Sequence, residues 1–119
     1  GSTKIRNGVK LDNLIQIAHN VEIGENTVIA AQACVAGSTK IGKNCLIGGQ
    51  VAISGHITIA DQVKVAGQSG IASSVSEKGV TIQGPMAFDL KQFQRSYILF
   101  KKLPEIYKTL NSIKDQFNV

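Results

Sequence analysis

The chain of 119 residues contains no tryptophan, two prolines, two cysteines, two histidines and one methionine, and only 5% of it is aromatic. Each scarcity removes a class of structure or function. The basic residues form no stripe interleaved with aromatics, so nucleic-acid binding is set aside. Cys34 and Cys45 fall at different positions of the repeat described below, one outward and one inward. That placement argues against a disulfide and for free thiols in a reducing compartment. The two histidines stand about two coils apart in the same repeat, too far to share one ion within a chain, so no metal is expected. No apolar run approaches the roughly 20 residues of a membrane span. No signal-peptide pattern opens the chain, and no transmembrane segment and a cytoplasmic setting are expected. No glycine-rich phosphate loop of the P-loop or dinucleotide type occurs.

What is present is a strict period. Every sixth residue from Ile5 to Ile71 is aliphatic: Ile5, Leu11, Ile17, Ile23, Ile29, Val35, Ile41, Ile47, Ile53, Ile59, Val65 and Ile71. Six residues fit neither a helix at 3.6 nor an alternating strand at 2, but they fit short strands separated by tight turns in a parallel β-helix. A second inward set lies four residues after each aliphatic one, from Val9 through Thr27, Thr39 and Cys45 to Val75, all small, β-branched or apolar. The residue after each aliphatic one is usually Gly, Ala or Ser, which suits a crowded corner. Three hexads close a coil, so twelve give about four coils over residues 5–76. Residues eighteen apart then stack one strand spacing apart, about 4.8 Å.

The fold class is therefore mainly β, with residues 1–76 as the β-helix, 77–87 as a linker rich in turn formers and 88–119 as a C-terminal helical extension. Phe93, Tyr97 and Phe100 follow helical spacing, and Pro104 stands where a second helix would begin. Ile106, Leu110, Ile113 and Phe117 are spaced 4, 3 and 4, a seam too short to be stable alone in water. Two partners suit it: the same helix of other copies, or the last coil, whose open sheet edge it would cap. With 43% hydrophobic and 18% charged residues the composition is that of an ordinary folded domain. The net charge of +5 serves solubility or an acidic partner.

Register also organises the candidate chemistry. His19 and His56 both lie in the third hexad of their coil, roughly 10 Å apart along the axis. Gly37, eighteen residues after His19, lies between them, where its backbone N–H can face a ligand without side-chain obstruction. Around this column stand Asn13, Gln16, Asn20, Gln32, Ser38, Gln50 and Gln68, either a wall for a polar ligand or turn residues and side-chain ladders of the solenoid. Asp12 is the nearest carboxylate upstream of His19 and can orient a ring or accept a hydroxyl.

The runs KLDNLIQIAHNVEIG at 10–24, AGSTKIG at 36–42, IGGQVAISGH at 47–56 and VAGQSGI at 65–71, with GPMAFD at 84–89, resemble the UDP-3-O-acylglucosamine N-acyltransferases of lipid A synthesis. The resemblance implies a left-handed coil and a homotrimer with active sites between subunits. It implies transfer of a 3-hydroxyacyl chain from the phosphopantetheine of acyl carrier protein to the 2-amine of a UDP-linked 3-O-acylglucosamine, with no other cofactor. On that resemblance His19 is the general base, Gly37 supplies the oxyanion N–H, His56 contacts substrate or the acyl carbonyl, and Asp12 meets the acyl hydroxyl or supports His19. Lys91, Arg95, Lys101, Lys102, Lys108 and Lys114 would face the acidic carrier protein. Such enzymes carry an N-terminal uridine-binding domain, so a chain opening at Gly1 is expected to be a C-terminal fragment, weak or inactive alone. Another hexapeptide acyltransferase, acting on a sugar hydroxyl or using acetyl-CoA, and a non-catalytic scaffold are the alternatives.

Overall fold

The computed structural model describes residues 1–117. Twelve two-residue strands follow the hexads in order: β1 (Lys4–Ile5), β2 (Lys10–Leu11), β3 (Gln16–Ile17), β4 (Glu22–Ile23), β5 (Val28–Ile29), β6 (Cys34–Val35), β7 (Lys40–Ile41), β8 (Leu46–Ile47), β9 (Ala52–Ile53), β10 (Thr58–Ile59), β11 (Lys64–Val65) and β12 (Gly70–Ile71). They are followed by β13 (Thr81–Gln83), β14 (Phe88–Asp89) and one helix, α1 (Leu90–Gln116). Every third strand pairs in parallel, giving a first face β1-β4-β7-β10, a second face β2-β5-β8-β11-β13-β14 and a third face β3-β6-β9-β12. The register is eighteen residues, as in Ile23 opposite Ile41 and Val35 opposite Ile53. A parallel β-solenoid of about four turns is what the period required.

In each strand the second residue points inward. Ile23, Ile29, Ile47 and Ile59 are fully buried and stack in columns, and the second inward set buries Val21, Ala33, Val51 and Val63. A fully buried Ile or Val side chain contributes about 1.5–3 kcal/mol relative to exposure, so these columns hold the coil together. Polar members of the inward set are satisfied by the corners. Thr27 Oγ1 donates to the Gly42 carbonyl at 2.7 Å and Thr39 Oγ1 to that of Ser54 at 2.7 Å. Cys45 Sγ lies 3.2 Å from the Ala60 carbonyl, and burial pushes its thiol above the ordinary cysteine range. Cys34 lies outward and exposed, so the two thiols are apart and unbonded as expected.

The fourth residue of every hexad but the last turns the chain. Gly8, Leu14, Asn20, Asn26, Gln32, Ser38, Asn44, Gln50, His56, Gln62 and Gln68 all hold φ between +55° and +76°. Asn and Gly tolerate this left-handed conformation best, which accounts for much of the asparagine in the repeat.

The end of the coil departs from expectation. Val75 bridges Ile59 rather than stacking on Ile57, so the register shortens there. The segment expected as a linker contributes β13, which continues the second face with Ile82 opposite Val65, and β14 then pairs antiparallel with β13. Gly84 at φ +114° lets the chain turn under the Phe93 ring. The helical extension is one helix, not two, with Pro104 in its interior. Proline removes one backbone hydrogen bond from the ladder, but Leu99, Leu103, Ile106, Leu110, Ile113 and Phe117 keep a 4, 3, 4, 3, 4 spacing through it. Asp89 caps the helix by accepting from the Gln92 N–H at 3.1 Å. Only β13 and β14 touch α1 to any extent, so the helix leaves the coil rather than folding back across it. Its 27 residues extend about 40 Å, which makes the molecule 64 Å long and 23 Å wide. The last two residues of the expected extension, 118 and 119, lie outside the described residues. No helix among the described residues is long and apolar enough to cross a membrane.

Candidate active site

The corner between the third and first faces carries both histidines. Successive coils are tied there by the Ser38 N–H donating to the His19 carbonyl at 3.0 Å and the His56 N–H donating to the Gly37 carbonyl at 3.1 Å. The imidazole of His19 lies over Gly37. A β-carbon at position 37 would stand 2.5 Å from His19 Nε2 and 2.7 Å from Cε1, so the ring occupies the space that glycine leaves open. Among the described residues the Gly37 N–H donates to no carbonyl or side chain, so it is free for a ligand. One imidazole nitrogen and one unengaged backbone donor therefore converge on the same small patch. That pairing can take a proton from a nucleophile and stabilise an oxyanion.

His56 stands one place aside. The expected single column of His19, Gly37 and His56 resolves into two neighbouring columns, because eighteen residues carry His19 to Gly37 and then to Gly55, whereas His56 stacks over Ser38 and Asn20. All three members of that second column are left-handed, with φ +58°, +62° and +61° from Asn20 to His56. Asn20 Nδ2 donates to Ser38 Oγ at 3.1 Å. Ser38, one of the polar residues expected around the column, stands here as the residue eighteen after Asn20 and directly after Gly37.

The remaining candidates lie elsewhere on the coil. Asp12, Asn13, Gln32 and Gln50 occupy the corner between the second and third faces, so within one chain Asp12 does not support His19. Asp12 Oδ1 instead accepts from the Asn13 N–H at 2.7 Å. Gln50 donates to Gln32 at 2.8 Å and Gln68 to Gln50 at 2.9 Å, a ladder that runs along the corner from coil to coil. Gln16 points outward from the third face, in one column with Cys34, Ala52 and Gly70. No group of three or more His, Cys, Asp or Glu among the described residues could hold a metal ion.

Two clefts open along the first face, one at its edge toward the second face and one at the histidine corner. One is lined by Arg6, Glu22, Glu25, Lys40, Lys43 and Thr58. A second, lined by Lys4, Asn20, Glu22, Ser38 and Lys40, reaches the corner itself. Arg6 Nη2 meets Glu22 Oε1 at 2.6 Å. The hydrogen bond from Arg6, then its charge, hold the Glu22 carboxyl below the usual carboxylate range, with Lys4 and Lys40 adding to the effect.

The period, the parallel coil and the small-residue corners define a hexapeptide-repeat β-helix, and the family model described as bacterial transferase hexapeptide (six repeats) matches residues 2–37. Over 98% of its length the chain is 52% identical to a UDP-3-O-acylglucosamine N-acyltransferase of Cytophaga hutchinsonii, and it spans 33% of that protein. Over nearly its whole length the chain is thus similar to a UDP-3-O-acylglucosamine N-acyltransferase, as its motifs implied. Among solved structures, soybean serine acetyltransferase in complex with serine is 26% identical, with a TM-score of 0.69 over 75% of this chain and 40% of that one. An Arabidopsis UDP-N-acetylglucosamine acyltransferase is 20% identical, with a TM-score of 0.57 over 70% of this chain and 35% of that one, and shares the fold.

Proposed function

We propose that this β-helix carries the acyl-transfer centre of a UDP-3-O-acylglucosamine N-acyltransferase. The observation that carries the proposal is the His19 imidazole seated over Gly37, whose N–H is unengaged. His19 removes a proton from the sugar 2-amine as its nitrogen attacks the thioester carbonyl of a 3-hydroxyacyl chain borne by acyl carrier protein. The Gly37 N–H stabilises the oxyanion of the tetrahedral intermediate. Collapse forms the amide and expels the phosphopantetheine thiolate, which takes the proton back from the imidazolium. His56, one coil further along the same corner, holds the substrate or the acyl carbonyl.

The working unit of this reading is a cytoplasmic homotrimer. Its support is twofold: the candidate residues divide between two corners, and α1 has no buried residue. Packing one copy's Asp12 corner against another's His19 corner would reunite the set, with Asp12 reaching the acyl hydroxyl. Lys91, Arg95, Lys101, Lys102, Lys108 and Lys114 then offer α1 to the acidic carrier protein. The experiment is acyl transfer from 3-hydroxyacyl carrier protein to UDP-3-O-acylglucosamine by the chain and its His19→Ala variant. The variant is expected to lose about 100- to 10,000-fold in rate, and a variant as active as its parent would remove His19 from the mechanism. The 26% identity to soybean serine acetyltransferase favours a second reading, transfer from acetyl-CoA to a small hydroxyl acceptor. Turnover with acetyl-CoA and serine but not with the carrier-protein thioester would select it.

A further inference from the structure

The first face carries an unusual arrangement of charge beside the histidine corner. Its outward column runs Lys4, Glu22, Lys40 and Thr58, residues paired across neighbouring strands. Such alternation would be self-neutralising if Glu22 paired with the two lysines. Its carboxylate is instead taken by Arg6 at 2.6 Å, and a second ion pair, at the corner toward the second face, joins Lys43 to Glu25 at 3.9 Å. Among the described residues Lys4 and Lys40 form no ion pair. Their ammonium groups flank one cleft whose remaining wall includes Asn20 and Ser38. Asn20 directly follows His19 and Ser38 directly follows Gly37, so the cleft adjoins the proposed transfer centre. Two cations two strand spacings apart, about 10 Å along the axis, suit an extended anion better than a point charge. The Asn20 amide and the Ser38 hydroxyl add neutral donors at the end nearest His19. Glu22, the one carboxylate in the cleft, is offset by Arg6 and leaves the site net positive.

We propose that this cleft is a diphosphate subsite, in which Lys4 and Lys40 hold the two phosphates of the acceptor nucleotide while its sugar reaches His19 and Gly37. The anion chemistry follows from the cleft alone, and the assignment to the acceptor rests on the acyl-transfer reading. A phosphodiester of the donor's phosphopantetheine offers the same chemistry, so the test separates the two. Backbone amide shifts and calorimetry of the full chain are followed during titration with UDP, inorganic pyrophosphate, uridine and phosphopantetheine. UDP and pyrophosphate are expected to shift the amides of Asn20, Ser38 and Lys40, and uridine to leave them in place. Lys4→Ala and Lys40→Ala should each weaken UDP about tenfold. Lys64→Ala on the second face should change nothing, and added salt should weaken UDP further. No response of these amides to millimolar UDP or pyrophosphate would overturn the subsite, as would UDP affinity equal to the parent's in both lysine variants. Phosphopantetheine shifting the cleft where UDP does not would overturn the assignment to the acceptor. UDP binding that depends on the lysines, in a protein whose His19→Ala variant transfers acyl groups as fast as its parent, would uphold the subsite and refute the catalytic reading.

Discussion

Inside the coil, Ile23, Ile29 and Ile47 are 0% exposed, whereas along α1 Leu103, Tyr107, Leu110 and Phe117 are each at least 50% exposed. The two regions have similar needs and meet them differently. The coil is a stack in which each turn covers the one before, so its apolar columns are covered and its coil-to-coil hydrogen bonds are made within one chain. The helix carries a seam of equal quality, Leu99 to Phe117, with no surface among the described residues to cover it. Phe93 is its main anchor, packed between Phe88 at 5.6 Å and Tyr97 at 5.8 Å. Self-sufficiency therefore ends at β14, and in the proposed homotrimer association covers what lies beyond it.

That contrast can be broken from the helix side first. Leu103→Lys together with Leu110→Lys should abolish assembly and lower helix content while sparing the β-signal of the coil, read by sedimentation and far-ultraviolet circular dichroism. An assembled, fully helical double variant would mean that the seam has no covering role. Within the coil, Ile47→Ala removes a fully buried side chain from the middle of a column and should destabilise the protein by about 2–5 kcal/mol in denaturant titrations. A loss below 1 kcal/mol would show that the stack relaxes around the cavity. Gln50→Ala breaks two rungs of the exposed corner ladder and should cost about 1 kcal/mol or less. A larger loss would make the ladder part of what holds the coils together. The Arg6–Glu22 pair is exposed on both sides and gives the smallest effect. Because the folded-state value of Glu22 is lowered, its contribution is present above the ordinary carboxylate range and fades as pH falls through the lowered value. Glu22→Gln should therefore be slightly less stable than the parent at pH 7 and equal to it in strong acid. A gap that persists there would have another origin.

The same contrast marks how far the sequence could be read. A period of six with an aliphatic at each repeat is a direct image of stacked columns, so the inward residues, the strand positions and even the buried Thr27 and Thr39 were legible. The turns were less so. The left-handed fourth position accepts Asn, Gln, Ser, His and Leu alike, which left the turn and ladder role of Asn20, Gln32 and Gln50 open beside that of a ligand wall. It also hid the one-residue offset that puts His56 beside the His19 column instead of on it. Gly79, Gly84 and Pro85 resemble breakers and masked β13, whose pairing with β11 is set by the open edge of the coil and not by local preference. Pro104 masked the continuity of α1 for the same reason, since the seam that runs through it is a long-range property. Asp12 was assigned near His19 from sequence neighbourhood, and the corner between them is visible only once the prism is built.

The central claim is that His19 and Gly37 act together because the ring rests where a β-carbon would be. Gly37→Ala tests it most directly, since the atoms in its way belong to the far end of a side chain and not to backbone. The ring can swing aside while the coil stays intact. The account predicts an unchanged melting transition and a rate of acyl transfer lowered about 100-fold or more. A Gly37→Ala protein that transfers acyl groups at the parent rate would contradict it.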